Sequence, residues 1–181
     1  MSEPMPEGAS TPRGPAPSPV RVRLARPGDA EAIRAIYNVE VEGSTVTFDL
    51  VPRTPAEQQA WMAEHAGAHP VVVAVDAADE VVGFGSLSPY KVRPAYAPTV
   101  EDSVYVRGDQ RGNRVGRAIL EELLALAGRY GYHSVIARIV GGHDASIRLH
   151  RSCGFEIVGT EREVGRKLGR WLDVVVMQRM L

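Results

Sequence analysis

Three arginines set among small residues carry the clearest chemical potential in this chain. They lie in Arg111-Gly112-Asn113-Arg114-Val115-Gly116-Arg117. Before them stands the extended-looking Val104-Tyr105-Val106, and after them Ile119, Leu120, Leu123, Leu124 and Ala127 recur in a helical rhythm. Where a loop opens a helix, several backbone N–H groups lack a partner and the helix dipole adds partial positive charge. Arg111, Arg114 and Arg117 add full charges at the same spot, and small residues let a ligand approach the backbone. Such a place suits pyrophosphate. The loop has neither G-x-x-x-x-G-K-S/T nor G-x-G-x-x-G, which argues against a P-loop and a dinucleotide fold. An Arg-rich helix start that is simply solvated explains the loop equally well.

Other candidates are single side chains. Glu101 and Asp102 open the strand that precedes the loop, and strand alternation sends them to opposite faces. By residue type alone, Glu101 reads as a strand-end carboxylate paired with Arg93. His150 falls in a segment with helical spacing, where a histidine packs or caps. Cys153 sits beside Gly154 with no obvious base partner, so it reads as structural rather than as a nucleophile. As the single cysteine, it leaves no internal disulfide. No metal is expected.

The elements that must position these groups are legible in outline. Val20 to Leu24 alternates apolar and basic residues, which predicts a half-buried strand. Pro27-Gly28-Asp29 ends it, with Asp29 as N-cap of a helix carrying Ile33, Ile36 and Tyr37. Gly43 to Leu50 reads as a loop. Thr54-Pro55-Ala56-Glu57 has the cap, proline and glutamate of a capping box, starting a helix through Trp61 to near Gly67. Pro70–Val75 and Glu80–Leu87 predict an antiparallel hairpin. A strand follows from Val100 to Val106, then a long helix to Tyr130 that Gly131 stops. Further strands are expected at His133–Ile139, Phe155–Thr160 and Asp173–Met177, with a helix over His143–Ser152. The order is β-α-α-β-β-β-α-β-α-β-β, an α/β (α+β) mixed sheet of about seven strands with helices on both faces.

Composition sets the frame. At 181 residues the chain makes one domain with a real core, expected over 20–181, behind a disordered Pro-rich tail over 1–19. Net charge is −1 and the arginines are interspersed with acids, so no nucleic-acid partner is expected. No apolar run crosses a bilayer and the start is not a secretory signal, which fits a cytoplasmic enzyme or binding domain.

Several segments together resemble the GNAT acyltransferase superfamily, and more narrowly the phosphinothricin, methionine sulfone and methionine sulfoximine N-acetyltransferases. They are Ile36-Tyr37-Asn38, Gly43 to Phe48, Thr54 to Glu57, Tyr90 to Tyr96, Thr99 to Val106, Arg111 to Gly116, Ala145 to His150 and Gly169 to Asp173. The resemblance runs from about Arg23 to Leu181. It implies the GNAT fold, acetyl-CoA as co-substrate and a small-molecule primary amine as acceptor, and a homodimer as in many relatives. Its pyrophosphate motif Q/R-x-x-G-x-G/A falls on Arg111 to Gly116, with Arg114 where glycine is usual. Binding through the Arg114 N–H is expected to survive as long as its backbone avoids positive φ. His143 stands where the relatives carry Asn.

The resemblance also implies roles. Amide formation from a thioester needs a neutral amine, a place for the oxyanion and a proton for the thiolate. Glu101 is implied as the base facing the amine, with Asp102 the lesser candidate. His150 is implied as the thiolate's proton donor, and a backbone N–H of Val104, Tyr105 or Val106 as the oxyanion donor. Arg117 completes the loop's cationic set, and Ser146 supports the CoA arm or caps its helix. For the acceptor, Arg93 offers a guanidinium fork to a carboxylate or phosphinate. Thr45, Thr47, Phe48, Lys91 and Tyr96 lie in segments that line the acceptor cleft in the relatives. Trp171 reads as a core aromatic, or one that reaches the acceptor across a dimer. The expected function is direct acetyl transfer to a small amino acid analogue. Alternatives are another small amine or a peptide N-terminus as acceptor, a catalytically silent acyl-CoA-binding module, or a nucleotide-binding regulator.

Overall fold

A seven-stranded sheet in the order β1-β2-β3-β4-β5-β7-β6 organises the chain. The computed structural model describes residues 20–181, so the tail expected over 1–19 lies outside the described residues. The strands are β1 (Arg21–Leu24), β2 (Val71–Val75), β3 (Val81–Pro89), β4 (Thr99–Val106), β5 (Ser134–Val140), β6 (Glu156–Lys167) and β7 (Arg170–Met180). The helices are α1 (Ala30–Gly43), α2 (Pro55–Glu64), α3 (Val115–Arg129) and α4 (Asp144–Ser152). Every neighbouring strand pair is antiparallel except β4–β5, which is parallel.

Both faces are covered, which explains why all five residues of β2 are buried and apolar rather than alternating. Ile33, Ile36, Tyr37 and Val41 of α1 pack on Val71, Val73, Val75 and Phe84. On the opposite face, Val115, Ile119, Leu120, Leu123 and Leu124 of α3 meet Val72, Val82, Leu87, Val100 and Val135. Helix α3 comes close because β3 carries glycine beneath it. A Cβ on Gly85 would lie 2.6 Å from Ile119 Cγ2 and 2.9 Å from the Ser103 carbonyl oxygen.

The Thr54 hydroxyl accepts from the Glu57 N–H at 3.2 Å and the Glu57 carboxylate accepts from the Thr54 N–H at 2.7 Å, so the capping box forms as expected. Asp29 precedes α1 but does not cap it. Its carboxylate turns back to take two Arg23 N–H bonds, at 2.7 and 2.9 Å, and the Arg26 N–H at 2.6 Å. A full guanidinium outweighs the partial charge of a helix end. The last two strands are much longer than expected. The charged stretch Glu161-Arg162-Glu163 hides the pattern, yet β6 and β7 pair through it with register shifts.

Candidate active site

Strands β4 and β5 part company halfway along. Their parallel register runs only from Thr99↔Ser134 to Asp102↔Ala137, while β4 stays paired with β3 as far as Val106. From Ser103 onward, the N–H and C=O groups of β4 that would face β5 have no strand partner. These half-buried groups border an opening between the two strands, where they are free to bond water or a ligand. No register shift in β4 is needed to free them.

A cavity of about 560 Å³ follows the gap. Val104, Tyr105 and Val106 form one wall, and Arg111, Gly112, Arg114, Val115, Gly116 and Arg117 form the open end at the start of α3. His143, Ser146 and His150 close it from the α4 side. Asn113 stands just outside, its amide 3.4 Å from the Gln110 side chain. The structure thus gathers nearly all the residues expected to hold the co-substrate.

The proviso attached to Arg114 is not met. Arg114 has φ +62°, in the left-handed region, because it turns the chain from the Gly112 bend into the first turn of α3. A side chain there costs roughly 1–2 kcal/mol. The Arg114 carbonyl still accepts the first helical bond, from the Ala118 N–H at 3.1 Å.

The two carboxylates of β4 divide as alternation requires. Glu101 lies across from Ser88 on β3 and Ile136 on β5, away from the α3 face, and does not line the cavity. No ion pair joins it to Arg93. Burial pushes its carboxyl above the usual range; the nearby Arg138 charge opposes this, and Asp102 and Glu161 add to it. Arg138 is itself ion-paired with Glu161 and lines the cavity.

Asp102 is buried on the other face, with Oδ2 3.0 Å from His150 Nε2. The other ring nitrogen, Nδ1, is 2.8 Å from the Ser146 carbonyl oxygen, and the Ser146 hydroxyl stands 3.4 Å off. Burial works against a charged His150 ring, but the hydrogen bond and charge of Asp102, with the Ser146 carbonyl, outweigh it and raise its pKa.

The residues expected around the acceptor scatter. None of Thr45, Thr47, Phe48, Lys91, Arg93 and Tyr96 lines this cavity. Thr45 Oγ1 reaches His143 Nε2 at a long 3.4 Å. The Thr47 hydroxyl is buried against the Tyr37 hydroxyl at 2.8 Å. Phe48 lies over Gly165, where a Cβ would come within 2.5 Å of its ring. Lys91 sits 4.7 Å from the Tyr90 ring and 5.1 Å from that of Tyr96, forming an exposed cation–aromatic cluster. Arg93 is exposed at the start of the turn that carries Tyr96. Trp171 is exposed rather than a core aromatic.

Sequence reasoning passed over two further charged residues. Glu40 is buried at the gap's edge, ion-paired with Arg111 and accepting the Ser44 hydroxyl at 2.7 Å. Its signal was present, since it continues the apolar stripe Ile33, Ile36, Tyr37 of α1. Lys167 is buried and donates to the Thr47 carbonyl at 2.9 Å and the Glu40 carbonyl at 3.3 Å. It ties the end of β6 to the end of α1 and to the loop that carries Thr47. Among the described residues, no group of three His, Cys, Asp or Glu side chains could hold a metal, and no helix is long and apolar enough to cross a membrane.

The likenesses to known proteins agree with this geometry. Residues 22–176 match the acetyltransferase (GNAT) domain. A methionine sulfoximine and methionine sulfone acetyltransferase of Pseudomonas paraeruginosa is 43% identical over 158 residues, spanning 87% of this chain and 92% of the relative. A phosphinothricin N-acetyltransferase of Streptomyces coelicolor is 38% identical over 170 residues, 92% of this chain and 99% of the relative. The crystal structure of a phosphinothricin acetyltransferase from Sinorhizobium meliloti in complex with acetyl-CoA superposes with a TM-score of 0.86, at 37% identity, covering 90% of this chain and 88% of that one. An interrupted parallel strand pair, an arginine-bearing helix start beside it and these matches along the whole domain lead to one statement: the chain belongs to the GNAT family of acetyltransferases.

Proposed function

We propose that the chain moves the acetyl group of acetyl-CoA to the amine of a small amino acid whose side chain ends in a tetrahedral, oxygen-bearing group. Methionine sulfone, methionine sulfoximine and phosphinothricin are the candidate acceptors, as the names of its relatives suggest. The observation that carries the reading is the gap itself. Its unpaired β4 backbone suits the amides of a pantetheine arm, and the arginine-bearing start of α3 suits a pyrophosphate. A cavity of about 560 Å³ falls in the range of small-ligand sites.

Glu101 takes the amine's proton in this reading. Its raised pKa makes it a better base near neutral pH than an ordinary carboxylate. An N–H of β4 beyond Asp102 stabilises the oxyanion. Cys153 is buried and does not line the cavity, which supports direct transfer over a route through an acyl-cysteine. Exposed Val164, Leu168 and Trp171 on the β6–β7 hairpin offer an apolar surface for a homodimer, which sedimentation at twice the chain's mass would support.

The test is thiol release from acetyl-CoA with these three acceptors, ordinary amino acids and a short peptide. Saturable turnover confined to the sulfone, sulfoximine and phosphinothricin group is expected. Turnover on the peptide alone, or none despite acetyl-CoA binding, overturns the acceptor assignment.

A further inference from the structure

The hydrogen bonds of the Asp102–His150 pair in the gap fix how many protons the pair holds. His150 Nδ1 faces a carbonyl oxygen, which can only accept, so that nitrogen must carry a proton. Nε2 faces the Asp102 carboxylate, which when ionised also only accepts. A neutral ring would point a lone pair at one of the two. Both contacts are made only if the ring carries two protons, or if the carboxyl carries the second. The pair therefore holds one proton more than a neutral histidine beside a carboxylate.

We propose that Asp102 is a positioning residue for acetyl transfer: it keeps His150 as an imidazolium in the wall of the gap, making the pair the store of the proton that the departing thiolate takes up. The proposal rests on the acetyl-transfer reading above. The surroundings favour the charge. Strand β4 presents Asp102 to the ring, α4 presents the Ser146 carbonyl and hydroxyl, and Phe155 after α4 lies edge-on with centroids 5.0 Å apart. The side chains of His150 and Asp102 are 4% and 1% exposed, so bulk water does not screen the pair. Asp102 Oδ1 has no hydrogen-bond partner.

The step balances. The amine nitrogen bonds to the thioester carbonyl carbon and gives its proton to Glu101. The C–S bond breaks, sulfur leaves with the electron pair, and it takes one proton from the pair. A neutral ring then faces a carboxylate, an arrangement that draws a proton back from solvent as Glu101 releases its own.

Asp102→Asn separates this role from a packing role. Its amide can donate to Nε2 and keep both ring contacts, but with a neutral ring. Nitrogen-15 spectra of the histidines at pH 8 should show His150 doubly protonated in the wild type, and protonated on Nδ1 alone in the variant. With methionine sulfone, kcat should fall about 100-fold, the low end of what a general acid contributes, while the acetyl-CoA KM stays within about twofold. The alkaline limb of kcat should move to lower pH, towards the ordinary imidazole value. A wild-type ring that is singly protonated at pH 8 overturns the proposal without any assay, whether or not the variant folds. So does a neutral ring in the variant with unchanged kcat and pH profile. A wild type that acetylates no amine, with the ring doubly protonated, defeats the catalytic role through the acetyl-transfer reading while leaving the ring's charge established.

Discussion

The two faces of β4 carry the same functional group to opposite ends. Glu101 and Asp102 are adjacent carboxylates, but one points away from α3 into surroundings that raise its pKa, and the other is sealed against His150. The difference comes from the partners that each face receives. On the Glu101 side, Ser88 and Ile136 lie opposite, and the cation nearby, Arg138, is shared with Glu161. On the Asp102 side, α4 delivers an imidazole at 3.0 Å. A carboxylate with a weakened cation is suited to take a proton, and one held by a histidine is suited to stabilise a charge. On the reading proposed above, one strand presents a base and a proton store one residue apart without the two cancelling.

The comparison breaks most visibly at Glu101. Glu101→Gln should lower kcat by about 10²- to 10⁴-fold, the usual worth of a general base, and leave acetyl-CoA binding intact by calorimetry. The acidic limb of the kcat profile should vanish. In the wild type that limb should lie above the ordinary carboxylate value, since burial raises the Glu101 pKa. Full activity in the variant would leave the Asp102 face carrying the chemistry alone.

The α3 side of the sheet can be broken by volume rather than charge. In Gly85→Ala the new methyl would meet Ile119 Cγ2 at 2.6 Å, Leu123 Cδ1 at 2.9 Å and the Ser103 carbonyl oxygen at 2.9 Å. The helix must shift, at a cost of about 1–3 kcal/mol for overpacking, read as a lower midpoint in urea. Because Ser103 opens the gap, the acetyl-CoA KM should rise as well. An unchanged midpoint would mean that α3 is less tightly seated than its contacts imply.

Arg114→Gly sharpens the comparison from the ligand's end of the gap. Glycine adopts φ +62° without the Cβ clash, so the variant should gain about 1 kcal/mol of stability. It also removes one cation from the cavity's rim, so the acetyl-CoA KM should rise several-fold with kcat unchanged. A fall in stability would show that the Arg114 side chain packs well enough to outweigh its backbone strain.

What sequence reading caught and missed follows range of interaction. The Thr54–Glu57 box spans three residues, and the amphipathic stripe of α3 repeats within one helix, so both were legible. So was the loop at the start of α3, which carries its charges and small residues in one run. Alternation alone sets Asp102 below Glu101 as the base, which the structure keeps; what is hidden is its partner His150, 48 residues away, because nothing in the strand says that α4 crosses there. Lys167 is more extreme. Its acceptors are backbone carbonyls 120 and 127 residues distant, which leave no mark on residue type. Glu40 was legible in principle, because an acid on an apolar helix stripe requires a partner. Arg111, its partner, is 71 residues on and had been assigned wholly to the ligand.

The smallest effect tests the sealed face through stability alone. Two buried pairs should shape the pH dependence in opposite senses. Asp29, beside Arg23, has a lowered pKa: the Arg23 hydrogen bonds outweigh burial, helped by the Arg26 N–H and the charges of both arginines. Its contribution is present above the ordinary carboxylate value and is lost as pH falls through the lowered one. His150 has a raised pKa, so its contribution is present below the ordinary imidazole value and is lost as pH rises through the raised one. Each limb is bounded at about 1.4 kcal/mol per pH unit, the slope for one proton. The summed contribution of these two pairs should therefore sag on both sides of a plateau between roughly pH 4 and 6.5, the two unperturbed values. Glu101, raised by burial, superimposes a fall that begins at the ordinary carboxylate value. Asp102→Asn should flatten the alkaline limb and leave the acid limb in place, because Asp29 sits in the turn between β1 and α1 with partners of its own. If both limbs change together, the two pairs are coupled through the sheet, and the independence of the faces of β4 fails with them.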